Sequence, residues 1–474
     1  MNTKRTLIWL LTLCLLVISI SACGNKDKTS NATQEVTTDA PIDTTPVDIE
    51  DAGVDFWEQN NAGFGKAVEG VAADFETDDS SGTVTILSYK GTQEHLRIPS
   101  TINELPITSI ADGAFAENVT LKTLILPESI TSIGEGILAG CKTLHSLETP
   151  LMGADKESTQ YLGYLFGATT HENNARDIPA TLKCLRISGE WQALPAYALF
   201  RCNDLICISF PKTLKTIEKY ALFECASLKQ IDGLEQITAF GERALMDCSD
   251  LQIVTLSNNL ESVGFGTFEG CTSVRTITLP FVGNTRTENT YLGYIFGAAQ
   301  PDFAKGFYPP KLAQINLTDA CQALGNYAFF ECESLKEITI SEGLTSIGVR
   351  AFYGCTGLWS IKLPNTVTTI RELAFANCDA LLSIDFGQGL TAIGINAFYN
   401  CDSLTEVKLP ATLKSLPASC FAGCISLTKI DFGGVEEVGA EAFRHCNAVT
   451  NVTASQNVNF GKGNDHVKSV LYPE

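Results

Sequence analysis

The sequence predicts a repeat solenoid, a fold in which short parallel strands and tight turns stack along one axis. Eleven cysteines recur with a mostly 23-residue period, which is interrupted by two 61-residue intervals. A Leu-x-x-Ile-x-Leu-Pro pattern, with variations, follows the cysteines. A period of this length that is sustained along a chain is typical of stacked repeats. The recurring cysteines are Cys141, Cys202, Cys225, Cys248, Cys271, Cys332, Cys355, Cys378, Cys401, Cys424 and Cys446.

Residues 397–410 illustrate how one coil is expected to fold. Leu404, Val407 and Leu409 are the core contacts of a short strand, and the residues between them face outwards. Ala397, Cys401 and Leu404 have the spacing i, i+4 and i+7, which places them on one face of a short helical turn. One coil cannot bury these side chains alone. We therefore expect identical coils to stack about 4.8 Å apart with their strands parallel.

The same pattern allows the coils to be counted. Asn118 stands where a cysteine is expected, one period before Cys141, which gives twelve coils. Twelve coils at one strand spacing each would form a stack of about 55–60 Å. Gly394 and its equivalents follow a second extended piece of each coil, and we interpret them as turn residues.

The two 61-residue intervals each contain an insertion of 38 residues. Residues 161–168 of the first insertion recur as residues 291–298 of the second, with the same offset that separates Cys141 from Cys271. A block of four coils is therefore duplicated. The repeated aromatic side chains either fold the insertions back onto the array or take part in binding. They are Tyr161, Tyr164, Phe166, Tyr291, Tyr294 and Phe296.

The combined pattern Ala-Phe-x-x-Cys-x-x-Leu and Leu-x-x-Ile-x-Leu-Pro resembles the BspA-type, or Treponema-type, leucine-rich repeat of bacterial surface proteins. The resemblance covers about residues 83–450. It implies a right-handed leucine-rich repeat superhelix, β-rich with short helical turns, in which residues 83–102 form the N-terminal cap. It also implies adhesion to host or neighbouring-cell components. Ile137 and Leu138 replace Ala-Phe in the second coil, as expected of an atypical coil near one end.

The N-terminus predicts an exported lipoprotein. Lys4 and Arg5 precede an apolar run over residues 6–20, which is typical of a signal peptide. The following Ile-Ser-Ala-Cys, residues 20–23, resembles the lipobox of bacterial lipoproteins. In that family the cysteine is acylated and becomes the mature N-terminus, which implies lipidation of Cys23 and anchoring at the outer face of the cell membrane. The alternative is an ordinary secretory signal cut at the same place, with Cys23 incidental.

Composition divides the chain into five segments. Residues 24–52 are rich in Thr, Asp and Pro and contain no aromatic residue, which predicts a disordered acidic tether. The apolar pattern begins at Val54, Phe56 and Trp57. The predicted segments are a signal peptide over 1–22, the tether over 23–53, an N-terminal region and cap over 54–106, the array over 107–449 with insertions near 150–188 and 280–318, and a C-terminal cap over 450–474.

Charge and motif content exclude several classes of function. Lys plus Arg total 33 against 54 Asp plus Glu, a net charge of −21, which argues against nucleic acid and against anionic membrane surfaces as partners. The five histidines are scattered, and the sequence contains no motif for a metal, a phosphate, a dinucleotide or a catalytic nucleophile. We therefore predict no metal, no cofactor and no enzyme activity.

The cysteines after Cys23 number fifteen, an odd number, so they cannot all pair within one chain. The recurring cysteines should point inwards, each above its neighbour. They are either a stack of buried thiols that act as small apolar residues or disulfides between adjacent coils.

Two outward-facing features supply candidate binding residues. Opposite charges alternate in four successive coils, which indicates either mutual stabilisation of the strands or a polar strip for a protein or glycan. These residues are Lys362, Asp385, Lys408 and Asp431. Trp359 and Leu382 occupy adjacent coils at a position that is usually polar. They either anchor a partner or pack against the edge of a coil.

Together these features predict a cell-surface lipoprotein whose array binds a host or cell-surface protein and which contacts the membrane through its lipid anchor only. Stacked repeats offer a long surface on a rigid frame, which is a geometry for binding. One alternative is a lipoprotein that captures glycans for nutrient uptake. Another is a passive structural component of the cell envelope.

Overall fold

The computed structural model describes residues 67–288 and 290–473, and it confirms the predicted solenoid. In this part of the chain, most strands are hydrogen bonded in parallel register with the equivalent strand one coil away. No helix here is long and apolar enough to cross a membrane. The predicted signal peptide, the tether and Cys23 lie outside the described residues.

One side of every coil is a strand of what we call the major ladder, which has sixteen strands in the described part of the chain. They are hydrogen bonded in successive groups of seven, four, two and three. The major ladder consists of β1 (Val68–Glu69), β4 (His95–Arg97), β7 (Thr123–Ile125), β9 (Ser146–Thr149), β10 (Cys184–Ile187), β12 (Cys207–Ser209), β14 (Gln230–Asp232), β16 (Ile253–Thr255), β18 (Thr276–Leu279), β19 (Gln314–Leu317), β21 (Glu337–Ile340), β23 (Ser360–Lys362), β25 (Ser383–Asp385), β27 (Glu406–Lys408), β29 (Lys429–Asp431) and β31 (Asn451–Thr453).

A second row of mostly two-residue strands, the minor ladder, forms from the second extended piece of each coil. It consists of β3 (Val84–Tyr89), β6 (Leu105–Ile110), β8 (Ser132–Ile133), β11 (Ala193–Leu194), β13 (Thr216–Ile217), β15 (Ala239–Phe240), β17 (Ser262–Val263), β20 (Ala323–Leu324), β22 (Ser346–Ile347), β24 (Thr369–Ile370), β26 (Ala392–Ile393), β28 (Ser415–Leu416), β30 (Glu437–Val438) and β32 (Asn459–Phe460). Two further strands, β2 (Phe75–Asp78) and β5 (Thr101–Ile102), pair antiparallel with β3 and β6.

Helices are short throughout the described residues. The 3-10 helices are Ala72–Asp74, Leu162–Phe166, His171–Asn173, Leu292–Phe296 and Pro301–Gly306. The α-helices are Asn174–Asp177 and Asp465–Leu471. The second α-helix contributes Val467 to the core at the last coils and thereby covers their apolar side chains.

The prediction of twelve coils was too low, because the described chain has sixteen major-ladder strands. Two of the additional strands, β10 and β19, lie inside the predicted insertions, so each insertion supplies a full coil. Pro179 and Pro309 stand where these two coils would carry the recurring cysteine. A count based on that cysteine therefore missed both coils. The other two additional strands, β1 and β4, come before the first coil that was counted.

The side chains between the two ladders form one continuous core. Val407 and Ile430, the middle residues of β27 and β29, are fully buried, as are most of their equivalents. In the C-terminal half a column of phenylalanine rings stacks with centroids 4.8–5.5 Å apart. This spacing is that of the strands themselves, because each coil places its phenylalanine above the one before. The column contains Phe329, Phe352, Phe375, Phe398, Phe421 and Phe443.

The predicted helical turns are not helices. Residues 395–400 form a run of turns in which Asn396 and Asn400 have positive φ angles of 55° and 56°. The backbone N–H groups of Phe398 and Asn400 donate to carbonyl oxygens of the next coil at 2.8 and 2.9 Å. Hydrogen bonds between coils therefore replace those within a helix. The prediction that Ala397 and Cys401 point into the core is nevertheless confirmed, since both are buried.

The recurring glycine has a different role from the predicted one. A Cβ atom at Gly394 would overlap the backbone of Arg371 and Glu372 in the preceding coil. At Gly348 it would overlap the backbone of Gly325 in the same way. Neither glycine has a positive φ angle. The position is glycine because adjacent coils approach each other too closely for a side chain.

The recurring cysteines are all buried and free, as the first of the two interpretations predicted. The Cys378 thiol donates to the carbonyl oxygen of Phe352 at 3.1 Å, a contact that links adjacent coils. One disulfide occurs in the described residues, but off this column. It joins Cys184 and Cys207, which lie directly opposite each other on β10 and β12.

We expect Gly394→Ala to lower the free energy of unfolding by about 1–3 kcal/mol, because the added methyl group displaces the backbone of the preceding coil. Gly306→Ala is the matched control, since nothing lies within 4 Å of a Cβ atom there. Urea unfolding followed by circular dichroism measures both variants. Equal unfolding midpoints would contradict the close-approach explanation.

Stability should fall in alkaline solution because of the thiol column. Burial raises the pKa of Cys332 to about 12, and burial raises the pKa of Cys355 and Cys378 as well. Unfolded thiols lose their protons near pH 8.5, so above that pH the unfolded chain binds fewer protons than the folded one. Their contribution is therefore complete below about pH 8.5 and is lost as the pH rises towards 12, by up to about 1.4 kcal/mol per pH unit for each thiol. Urea midpoints measured from pH 7 to 10.5 test this, and an unchanged midpoint would contradict it.

Candidate binding surface

Alternate residues of the major ladder point away from the core and form its outward face. On β23 the outward residues Ser360 and Lys362 are exposed, whereas Ile361 between them is buried. Trp359 directly precedes β23, and Leu382 directly precedes β25 in the next coil. The backbone N–H of Leu382 donates to the carbonyl oxygen of Trp359 at 2.8 Å, so the two residues are direct neighbours.

Trp359 and Leu382 form an apolar pair at the edge of this face, with 45% and 46% of their surfaces exposed. The Trp359 side chain makes neither a ring contact nor an indole hydrogen bond within the described residues. The indole of Trp191, by contrast, donates to the carbonyl oxygens of Pro150 and Ser188 at 3.2 and 3.1 Å. The apolar surface and the indole N–H of Trp359 are therefore both available to a partner.

Other partly exposed aromatic rings stack from coil to coil. Tyr197 and Tyr220 are nearly parallel, with centroids 5.6 Å apart, and Phe200 and Phe223 are 5.0 Å apart. Stacking covers the ring faces with the neighbouring coil and leaves mainly the edges open. These rings stabilise the stack and offer a ligand less surface than Trp359 does.

The four predicted charged residues lie where the sequence placed them. Lys362 is directly opposite Asp385, and Lys408 is directly opposite Asp431. Neither pair approaches within 4 Å, so these pairs form no ion pair in the described structure. Glu406 and Lys429 of the same two strands do form an ion pair, at 2.7 Å.

The alternation of charge follows instead from two kinds of turn. Asp385 Oδ1 accepts a hydrogen bond from the backbone N–H of Gly387 at 3.1 Å, and Asp431 does the same for Gly433 at 3.1 Å. After Lys362 and Lys408 the same position is proline, which has no N–H to satisfy. The aspartates therefore stabilise turns, whereas the two lysine ammonium groups remain available to a ligand.

The aromatic residues of the insertions pack into the array. The hydroxyl groups of Tyr161 and Tyr291 donate to the carbonyl oxygens of Ala168 and Ala298, each at 2.9 Å. Tyr164 donates to Ile133 at 3.2 Å. Phe166 and Phe296 are buried. Of the two roles considered for these residues, packing is the one observed.

Three features of the structure were not predicted from the sequence. Phe303 and Phe307 of the second insertion are exposed, as is Ile253 on β16. The disulfide was also missed, although Cys184 and Cys207 are separated by 23 residues, which is the repeat period itself. Among the described residues, no group of three His, Cys, Asp or Glu side chains is placed to hold a metal ion.

The family model for the BspA type leucine rich repeat region matches this chain in six copies, over residues 88–160, 179–292, 304–428 and 370–464. These matches cover well over half of the chain. The chain belongs to this family of leucine-rich repeat proteins, as the sequence pattern predicted. Repeats of this class generally serve as scaffolds for protein interaction rather than as enzymes. No curated protein matches the chain.

Solved structures share the repeat at low identity. A leucine-rich repeat protein from Bacteroides ovatus is 19% identical, with 83% of this chain and 99% of that chain covered and a TM-score of 0.32. A leucine rich cell surface protein from Faecalibacterium prausnitzii is 19% identical, with 87% and 99% covered and a TM-score of 0.26. A leucine-rich repeat protein from Eubacterium ventriosum is 16% identical, with 83% and 92% covered and a TM-score of 0.33. Membership of the family rests on the repeat model, not on these likenesses.

We expect Asp385→Ala to lower the free energy of unfolding by about 1 kcal/mol, because the backbone N–H of Gly387 loses its acceptor. Lys362→Ala, one coil away on the same row, is the matched control and should change stability by less than about 0.5 kcal/mol. Chemical unfolding compares them. A larger loss for the lysine variant would show that the row is held together by charge pairing after all.

Proposed function

We propose that this chain is a cell-surface lipoprotein whose array binds another protein through the outward face of the major ladder, with Trp359 and Leu382 as the anchor. The observation that carries the proposal is the half-exposed Trp359 indole beside a half-exposed leucine in the next coil. Exposed tryptophan within a small apolar patch is typical of residues that dominate the energy of a protein interface.

The residues around this pair suit a protein partner. Ser360 and Ser383 are exposed beside it and offer hydroxyl groups. Lys362 and Lys408 add positive charge, and neither has an ion-pair partner among residues 67–288 and 290–473. An apolar centre with a polar rim is the common arrangement of protein interfaces. We expect a partner that presents an apolar side chain with a carboxylate nearby.

The anchoring part of the proposal rests on residues outside the described structure. Acylation of Cys23 would hold the chain at the outer face of the cell membrane, and the lipid would be its membrane contact. Loss of residues 1–22 removes two basic residues and no acidic one, so the exported chain carries a net charge of −23. A charge of this sign disfavours nucleic acid as the partner. Adhesion to a host or neighbouring cell is the role that the repeat family suggests.

Glycan capture is the second candidate, and the same exposed indole favours it, since an uncovered aromatic face also suits a sugar ring. A passive role in the envelope is the third. The three candidates differ in what the outward face retains: a protein, a glycan or nothing selectively.

The deciding experiment immobilises residues 24–474 without the lipid and probes them with extracellular-matrix proteins, bacterial surface proteins and a glycan panel. We expect selective retention of a protein, weakened at least about tenfold by Trp359→Ala because a central anchor is lost. Surface plasmon resonance measures the affinities. Thr405→Ala is the matched control, since Thr405 occupies the equivalent exposed position two coils later.

Glycan retention that is lost in the Trp359 variant would replace adhesion by glycan capture. Protein retention that is equal in both variants would place the binding face elsewhere on the array. If protein that circular dichroism shows to be folded retains none of the probes, the binding proposal is overturned and an envelope role is favoured.

A further inference from the structure

Basic side chains recur along the edge of the major ladder, at the residue that directly precedes each strand. In nine successive coils, from the coil of β7 to that of β21, this position holds five cations and no acidic residue. We call these cations the basic row; they are Lys122, Lys183, Lys229, Arg275 and Lys336. The residues between them are His145, Ile206, Gln252 and Ala313. The basic row contrasts with the whole chain, in which 54 acidic residues outnumber 33 basic ones.

The basic row has a cation in every second coil. The backbone N–H of Arg275 donates to the carbonyl oxygen of Gln252 at 2.9 Å, so the row follows the hydrogen bonds of the ladder. The backbone N–H of Lys336 donates to Ala313 in the same way, at 2.8 Å. Neighbouring strands lie about 4.8 Å apart, which places successive cations about 9.6 Å apart. The three cations from Lys229 to Lys336 therefore span about 19 Å.

The duplication within the chain does not produce this spacing. Equivalent residues of the two blocks are five coils apart, as β9 and β18 are, and five is an odd number. Copying alone would therefore place the cations of the second block in the intervening coils. Instead, Arg275 is the equivalent of His145. Lys336 is likewise the equivalent of Ile206. The two-coil spacing continues across both blocks for a reason other than copying.

The last three cations of the row are available to a ligand. Lys229, Arg275 and Lys336 are exposed. Within residues 67–288 and 290–473, their side chains form neither an ion pair nor a hydrogen bond. Asp250 and Glu337 are exposed beside the row, and neither forms an ion pair with it in this part of the chain.

The first two cations are already neutralised. Lys122 forms an ion pair with Glu94 at 2.6 Å, and Lys183 forms one with Asp204 at 3.1 Å. Binding by the row therefore depends mainly on its last three members.

We propose that the basic row binds a linear acidic polysaccharide with one carboxylate in every second sugar. When such a polymer is extended, two sugar rings in line span a distance close to the separation of alternate coils. Gln252 and Ala313, between the free cations, offer an amide and an open space to the uncharged rings. Each free cation can therefore meet one carboxylate without distortion of either chain.

Other polyanions match the row less well. The phosphates of a nucleic acid strand follow each other at about 3.4 Å, which is much closer than the cations. An extended polypeptide would match only with an acidic residue at about every third position. The polysaccharide matches through its regular repeat alone.

Weak contacts add up along such a polymer. One exposed charge pair contributes little, but neighbouring contacts on the same polymer form at a high effective concentration. The negative charge of the whole chain opposes binding mainly at long range, because physiological salt screens charges beyond about 8 Å. The same screening means that the affinity should fall as the salt concentration rises.

The inference goes beyond the proposed function and does not rest on it. The row ends at Lys336, one coil before Trp359, and it recognises charge whereas Trp359 and Leu382 offer apolar surface. Retention of the acidic polysaccharide by the Trp359→Ala variant would separate this site from glycan capture by the exposed indole.

The test measures the binding of hyaluronan, whose disaccharide carries one carboxylate, to residues 24–474 by surface plasmon resonance. We expect saturable, salt-sensitive binding. The triple variant Lys229→Ser, Arg275→Ser and Lys336→Ser should weaken it at least about tenfold, because all three free cations are lost.

The matched control removes the same charge from exposed residues beside β13 of the minor ladder. It combines Lys212→Ser, Lys215→Ser and Lys219→Ser, and it should leave the affinity within about twofold, since these residues lie off the row. Circular dichroism confirms that both triple variants are folded. An equal loss in the two variants would overturn the proposal, because overall charge would then explain the binding.

A further variant tests the spacing itself. Ala313→Lys with Lys336→Ala keeps the net charge and moves one cation by one coil. We expect it to weaken hyaluronan binding about fivefold, since one carboxylate loses its partner. An unchanged affinity would overturn the proposal, as would the absence of binding to folded wild-type protein at low salt. Tighter binding of polyglutamate than of hyaluronan would assign the row to an acidic polypeptide instead.

Discussion

Register between neighbouring coils is the constraint on which the rest of this structure depends. Parallel strands about 4.8 Å apart place every residue above its equivalent, so a side chain must tolerate a copy of itself on both sides. Phenylalanine satisfies this by stacking its rings. Cysteine satisfies it because a small thiol can donate to the carbonyl oxygen of the preceding coil. Glycine at position 394 satisfies it because no Cβ atom fits between the backbones.

The same constraint explains why the fold could be predicted from the sequence while the number of coils could not. The 23-residue period reports the register directly, and it survives variation at single positions. Counting by cysteine failed at Pro179 and Pro309, where each long coil has a proline in place of the cysteine. The prediction of helical turns was wrong for a related reason. A spacing of i, i+4 and i+7 also describes a run of turns whose hydrogen bonds go to the next coil.

The candidate binding surface was likewise predicted only in part from the sequence. The sequence placed Trp359 and Leu382 in adjacent coils, and their backbones are hydrogen bonded as that placement requires. It also placed the alternating charges correctly, but their cause was the turn that follows each strand, visible as Asp-Phe-Gly at 385–387 against Lys-Leu-Pro at 362–364.

The long coils have a mechanical consequence. Each occupies one place in the ladder, as a short coil does, yet it stores 38 residues instead of 23. Under a pulling force, detachment of a short coil would release about 80 Å of extended chain, and a long coil about 130 Å. The two long coils therefore add the same height to the stack as the other coils, but each would release more chain when it detaches. A molecule held at both ends would lengthen in unequal steps, with the two largest steps one duplicated block apart.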